Sequence, residues 1–141
     1  MENTDLSRFV EAHHFSYQTA LMEIKNGQKQ THWMWYIFPQ IKGLGKSSTS
    51  QYYAVQNLDE AKAFLRDPYL GGNLQEISCA LLDVREDNPT VIFGKPDDRK
   101  LKSCMTLFAS ISEDGSVYHQ VLDKFFNGMM DKRTLSILGL Y

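Results

Sequence analysis

The sequence is short of several things, and each shortage narrows what it can be. Only two of its 141 residues are cysteine. Cys79 and Cys104 stand 25 positions apart with no CxxC spacing, so neither a disulfide framework nor a cysteine-ligated metal is expected, and both thiols are read as free and buried in a reducing compartment. No apolar run approaches the roughly 20 residues that span a bilayer. The opening Met1-Glu2-Asn3-Thr4-Asp5 is polar and acidic, unlike a signal peptide, so a cytoplasmic location away from membranes is expected. Charge is nearly balanced, at a net −2, which leaves no basic footprint for duplex nucleic acid. Histidines at 13, 14, 32 and 119 form no ligand pair, and neither a nucleophile elbow nor a dinucleotide glycine fingerprint is present. No metal or cofactor is therefore expected.

What remains is apolar and helical. Hydrophobic residues make up 43 % and charged ones 23 %, the reverse of a disordered composition, and the length suits one domain over residues 1–141. Leu6, Phe9, Val10, His13, Tyr17, Ala20, Leu21 and Ile24 fall on one helical face, capped by Thr4 or Asp5 and stopped at Asn26-Gly27. His13 on that stripe reads as a hydrogen-bonded core histidine. Thr31 is expected to cap one or two turns that Pro39 ends. Further helices start near Ser50, at Asn57 with Glu60, at Asp67-Pro68, at Pro96, after Ser116 and at Asp131. Thr90 to Gly94 is a short apolar run that reads as extended. The expected fold is mainly α, a compact bundle of about six to seven helices with little or no sheet.

Two stretches carry candidate chemistry. His32-Trp33-Met34-Trp35-Tyr36-Ile37-Phe38 concentrates aromatics, with His32, Trp35 and Tyr36 on one helical face and Trp33, Met34 and Ile37 on the other. One face can fill the core while the other lines a cavity. Gln40, Gly43, Gly45, Lys42 and Lys46 follow in a glycine-serine loop whose Gly45-Lys46-Ser47 only mimics the end of a P-loop, because no glycine stands five residues before Gly45. In the second stretch, Asp97 to Phe108, acids precede bases on a helix, which suits a solvated, well-capped helix. The same stretch puts Lys100, Ser103 and Thr106 at three-residue steps on a polar ridge, and Asp98 and Lys100 are the candidate catalytic pair for acid–base work. The expected ligand-binding set is His32, Trp35, Tyr36, Gln40, Gly43, Gly45, Tyr53, Asp98, Lys100, Ser103 and Thr106.

Arg8-Phe9-Val10-Glu11-Ala12, His32-Trp33-Met34-Trp35 through Phe38-Pro39-Gln40, and Gly43-Leu44-Gly45 resemble a bacterial family known as domain-of-unknown-function family 1810. Asp97-Asp98, Lys100-Leu101, Ser103 and Met105 to Phe108 match its second motif, and Leu122 to Gly128 and Asp131 to Leu138 its C-terminal part. The resemblance covers nearly the whole chain and implies a compact helical domain. Two residues depart from the family's pattern: His13 stands where glutamine is usual, and Cys104 where a second serine is common. Some members carry the label calpastatin, but that inhibitor is disordered and this composition is globular.

A looser likeness is to proteins acting on NAD-derived and ADP-ribosyl compounds, typified by a helical riboflavin-pathway N-glycosidase. Tyr52-Tyr53 through Phe64 and Ile92-Phe93-Gly94 through Phe108 are the counterparts, without a catalytic acid in a clear position. It implies a pocket for a nucleotide-like or ADP-ribose-like small molecule, with cleavage of an N-glycosidic bond as the activity. The competing expectation is a non-catalytic module that holds a protein partner on an aromatic surface. A concave surround for the tryptophans favours the first reading, a flat apolar patch the second.

Overall fold

The computed structural model describes residues 4–141; Met1 to Asn3, part of the polar opening, lie outside the described residues. Among the described residues the chain forms nine helices and no sheet: α1 (Ser7–Lys25), α2 (Met34–Ile37), α3 (Ser48–Tyr52), α4 (Leu58–Arg66), α5 (Pro68–Asp83), α6 (Pro89–Phe93), α7 (Asp97–Ala109), α8 (Val117–Phe126) and α9 (Lys132–Leu138). The expected six to seven helices become nine because the surplus is short. α2, α3 and α6 have four or five residues each. The sequence does signal the first two, as one or two turns before Pro39 and a helix near Ser50; α6 alone is read there as extended.

Starts follow side-chain chemistry. Asn57 Oδ1 accepts from the Glu60 amide at 2.9 Å, Asp67 Oδ2 from Leu70 at 2.8 Å and Asp131 Oδ2 from Thr134 at 3.0 Å. Glu60 reaches back to the Gln56 amide at 3.1 Å, one residue earlier than a standard capping box. Three local expectations fail. Neither Thr4 nor Asp5 caps α1, whose cap position is Leu6 with no side-chain cap bond, while Asp5 accepts from the Ser7 amide. Thr31 does not cap α2; its hydroxyl donates to Glu23 instead, and Trp33 occupies the cap position. The run after Asn88 is helical, not extended, because Asn88 caps it and Pro89 fits a first turn.

α1 packs along α5, α5 contacts α4 and α8, and α7 contacts α6, α8 and α9. The interior is one cluster in which Phe9, Phe64 and Phe108 pack ring against ring at 5.2 and 5.6 Å. Trp33 is 2 % exposed and lies among Phe38 and Phe93, so the stretch from Trp33 to Gln40 runs through the interior, with only Trp35 and Tyr36 half-exposed. Cys104 is buried as expected, but Cys79 is exposed on α5; both are free thiols. No helix among the described residues is long and apolar enough to cross a membrane.

Candidate functional site

The segment after α2 closes on itself. The Val55 amide donates to the Gln40 carbonyl and the Lys42 amide to the Val55 carbonyl, each at 2.8 Å, forming a single parallel bridge between Ile41 and Val55. The excursion between them, with α3 inside it, wraps a cavity of about 370 Å³. Trp35 and Tyr53 supply aromatic wall, Gln40 and Ser50 polar atoms, and Gly43 and Gly45 backbone. Lys42 is the one charged residue on the lining.

Two features single this cavity out. A Cβ at Gly45 would meet Ser50 Cβ at 2.5 Å and the edge of the Trp35 indole at 3.1 Å, so only glycine lets the loop lie against both. Gln40 is 5 % exposed, yet its Nε2 has no hydrogen-bond partner, although its own carbonyl is used in the bridge. A buried donor without a partner costs roughly 1–3 kcal/mol, so such groups are rare; among the described residues Ser78 Oγ, which lines neither cavity, is the other such side-chain atom.

Trp35 also lines a second cavity, of about 320 Å³, with Lys29, His32, Trp33, Tyr36, Ser47, Thr49, Asp97 and Lys100 among others. Its centre is ionic. Asp97 Oδ2 meets Lys29 Nζ and Oδ1 meets Lys100 Nζ, both at 2.9 Å. Burial would raise the Asp97 carboxyl's pKa, but the two ammonium groups outweigh it and hold it below its usual value. Lys100 lies 4.2 Å over the Trp35 ring and Lys29 5.0 Å over Trp33, so each cation is also fixed against an indole.

Second contacts lock these walls. His13 Nε2 donates to the Tyr36 carbonyl at 2.9 Å while its Nδ1 accepts from Asn73 at 3.0 Å, which defines a neutral tautomer. Burial, set against the Tyr36 bond, lowers its pKa to about 4. The Tyr36 hydroxyl donates to the His32 carbonyl, and its ring sits 4.9 Å from Tyr53. Glu23 accepts from the Gln30 and Thr31 amides, the Thr31 hydroxyl and the Trp33 indole. Partial burial opposes its ionisation, but those four bonds prevail and bring its pKa to about 2.

A family described as a protein of unknown function, DUF1810, matches residues 3–138. The chain belongs to that family. A solved structure, the conserved hypothetical protein Rv1873 from Mycobacterium tuberculosis, is similar at 39 % identity and a TM-score of 0.93, over 97 % of this chain and 98 % of that one. No curated protein matches. The ADP-ribosyl likeness finds no support in these comparisons.

Of the residues expected from sequence, His32, Trp35, Tyr36 and Lys100 line the ionic cavity, and Trp35, Gln40, Gly43, Gly45 and Tyr53 the amide-lined one. Asp98, Ser103 and Thr106 line neither. Asp98 is buried, accepting from Thr90 Oγ1 at 2.6 Å and from the Arg99 amide. Ser103 bonds back to the Arg99 carbonyl. Thr106 bonds to the Lys102 carbonyl and accepts from the Asp131 amide, tying α9 to α7. The carboxylate on the lining of the ionic cavity is Asp97. Helical register carried that signal: Asp97 and Lys100 are three apart and share a face, whereas Asp98 and Lys100 are two apart and do not. Lys29 lies in a connector with no periodic signal of its own.

Proposed function

We propose that this protein binds a nucleotide-like small molecule in the Trp35–Gln40 cavity. The observation that carries this reading is a concave lining of two aromatic side chains, polar groups and one lysine, Lys42, with the buried and unpartnered Gln40 amide nitrogen belonging to one of the lining residues. A planar heterocycle with ring nitrogens and exocyclic amines or carbonyls suits it, offering a face to the aromatic walls and an edge to the amide. Its volume falls within the range of small-molecule sites.

The lining favours holding a ligand over cleaving an N-glycosidic bond. The one carboxylate among the lining residues of the two cavities, Asp97, stays ionised between two lysines, so it has no proton to give and its charge is already met. A protein-docking aromatic face has less behind it: Trp33 is buried and Trp35 lines a concavity.

The test is a thermal-shift and calorimetric panel of nucleosides, nucleotides, NAD and ADP-ribose on the wild-type protein and on Gln40→Leu. At least one compound should raise the melting temperature of the wild type and fail to do so in the variant. The unliganded variant should be as stable as the wild type or more so, because it removes an unpaired buried donor. A panel that shifts neither protein, or one that shifts both alike, overturns the reading.

A further inference from the structure

We infer that the second cavity lined by Trp35 is an oxyanion seat, so that the ligand carries a phosphate-type or carboxylate group beside its ring. This rests on the reading of the Gln40 cavity as a ring site and adds the chemical class of the ligand's second part.

The argument begins with charge. Lys29 and Lys100 share one partner, Asp97, leaving one positive charge unmet in a recess where the side chains are 8 %, 21 % and 18 % exposed respectively. A net positive charge in a half-buried recess favours a counter-charge that completes it. Each ammonium has three N–H donors and spends one on Asp97, so two remain on each. Neither ammonium makes another hydrogen bond among the described residues. The Thr49 hydroxyl and the His32 ring stand on the same lining.

Position supports the same conclusion. The indoles of Trp33 and Trp35 hold the two cations in place before any ligand arrives, which removes much of the ordering cost that floppy lysines carry. The remaining donors suit a group with several acceptor oxygens. Trp35 borders both cavities, so a ring packed in one and an anion held in the other belong to one molecule of modest length.

The experiment uses ¹H–¹⁵N spectra of the intact protein, whose two indole N–H signals separate Trp33 from Trp35. Four probes are titrated: inorganic phosphate, acetate, a purine nucleoside and its 5′-monophosphate. Phosphate or acetate alone should move the Trp35 indole signal, and which of the two binds more tightly distinguishes the phosphate and carboxylate sources. The monophosphate should bind at least about tenfold more tightly than the nucleoside, as one charge-assisted contact implies. Lys100→Gln should erase that difference while leaving nucleoside affinity in place, and Gln40→Leu should do the opposite. A monophosphate that binds no better than its nucleoside overturns the oxyanion seat and spares the ring cavity. Phosphate binding with no response to the nucleoside overturns the ring cavity and spares the seat. An advantage for the monophosphate that survives Lys100→Gln also overturns the seat.

Discussion

Trp33 and Trp35 stand two apart and do different work. Trp33 is closed in among Phe38 and Phe93, and its indole N–H is satisfied by Glu23. Trp33→Ala leaves a large void and an orphaned carboxylate contact, so it should cost about 3–5 kcal/mol in a denaturant titration. Trp35 is half-exposed and borders open space on two sides, and Trp35→Ala should cost less than half as much while weakening binding in both cavities. Equal losses of stability in the two variants would show that Trp35 is a core residue. Composition and spacing separated the two faces of this segment correctly. They did not say which partner across the chain would meet each, because Lys29 and Asp97 reach the site only through tertiary packing.

Among the elements, α5 contains a paired test in adjacent glycines. A Cβ at Gly71 would sit 2.8 Å from the Leu65 carbonyl carbon, backbone that cannot swing aside, whereas nothing lies within 4 Å of one at Gly72. Gly71→Ala should therefore destabilise by about 1–3 kcal/mol through forced separation of α4 and α5. Gly72→Ala, inside the same helix, should stabilise by about 0.4–1 kcal/mol. Thermal melts of both variants check the opposed signs. Reading the sequence sees only that both glycines weaken a helix turn; the closeness of α4 is a property of the folded chain. The same limit explains α6: Val91, Ile92 and Phe93 have strand propensity, and one capped turn overrides it. The longer helices were legible because α1, α5, α7 and α8 repeat their apolar positions over several turns, with Asn57, Asp67 and Asp131 marking starts. The aromatic and glycine residues singled out in the sequence line the two cavities; Asp98 lines neither, and the carboxylate on the ionic lining is Asp97, one position earlier.

At the scale of the molecule, the lowered pKa values of buried His13 and half-buried Glu23 contribute to the response to acid. His13 has a lowered folded-state pKa of about 4, so the unfolded chain takes up its proton first as pH falls. Its contribution is present above about 6.5 and is lost as pH drops toward 4. Glu23, lowered to about 2, contributes above about 4.5 and loses that contribution as pH falls toward 2. Unfolding free energy measured against pH should thus decline in two successive stages. His13→Gln, which offers Tyr36 and Asn73 a donor and an acceptor without titrating, should flatten the first stage and leave the second. An unchanged slope between pH 6.5 and 4 in that variant would assign the acid sensitivity elsewhere.

The bridge between Ile41 and Val55 has a consequence for how recognition is inherited. Every residue lining the Gln40 cavity lies between positions 35 and 56, and the bridge closes that stretch almost where it begins and ends. The ionic cavity instead draws on chain from Lys29 to Lys100. The proposed ring site is thus drawn from one contiguous segment, whereas the proposed anion seat also needs residues from distant parts of the chain. Changes within that stretch that avoid Trp35, Tyr36, Ser47 and Thr49, which also line the ionic cavity, would alter the first lining and leave the second in place.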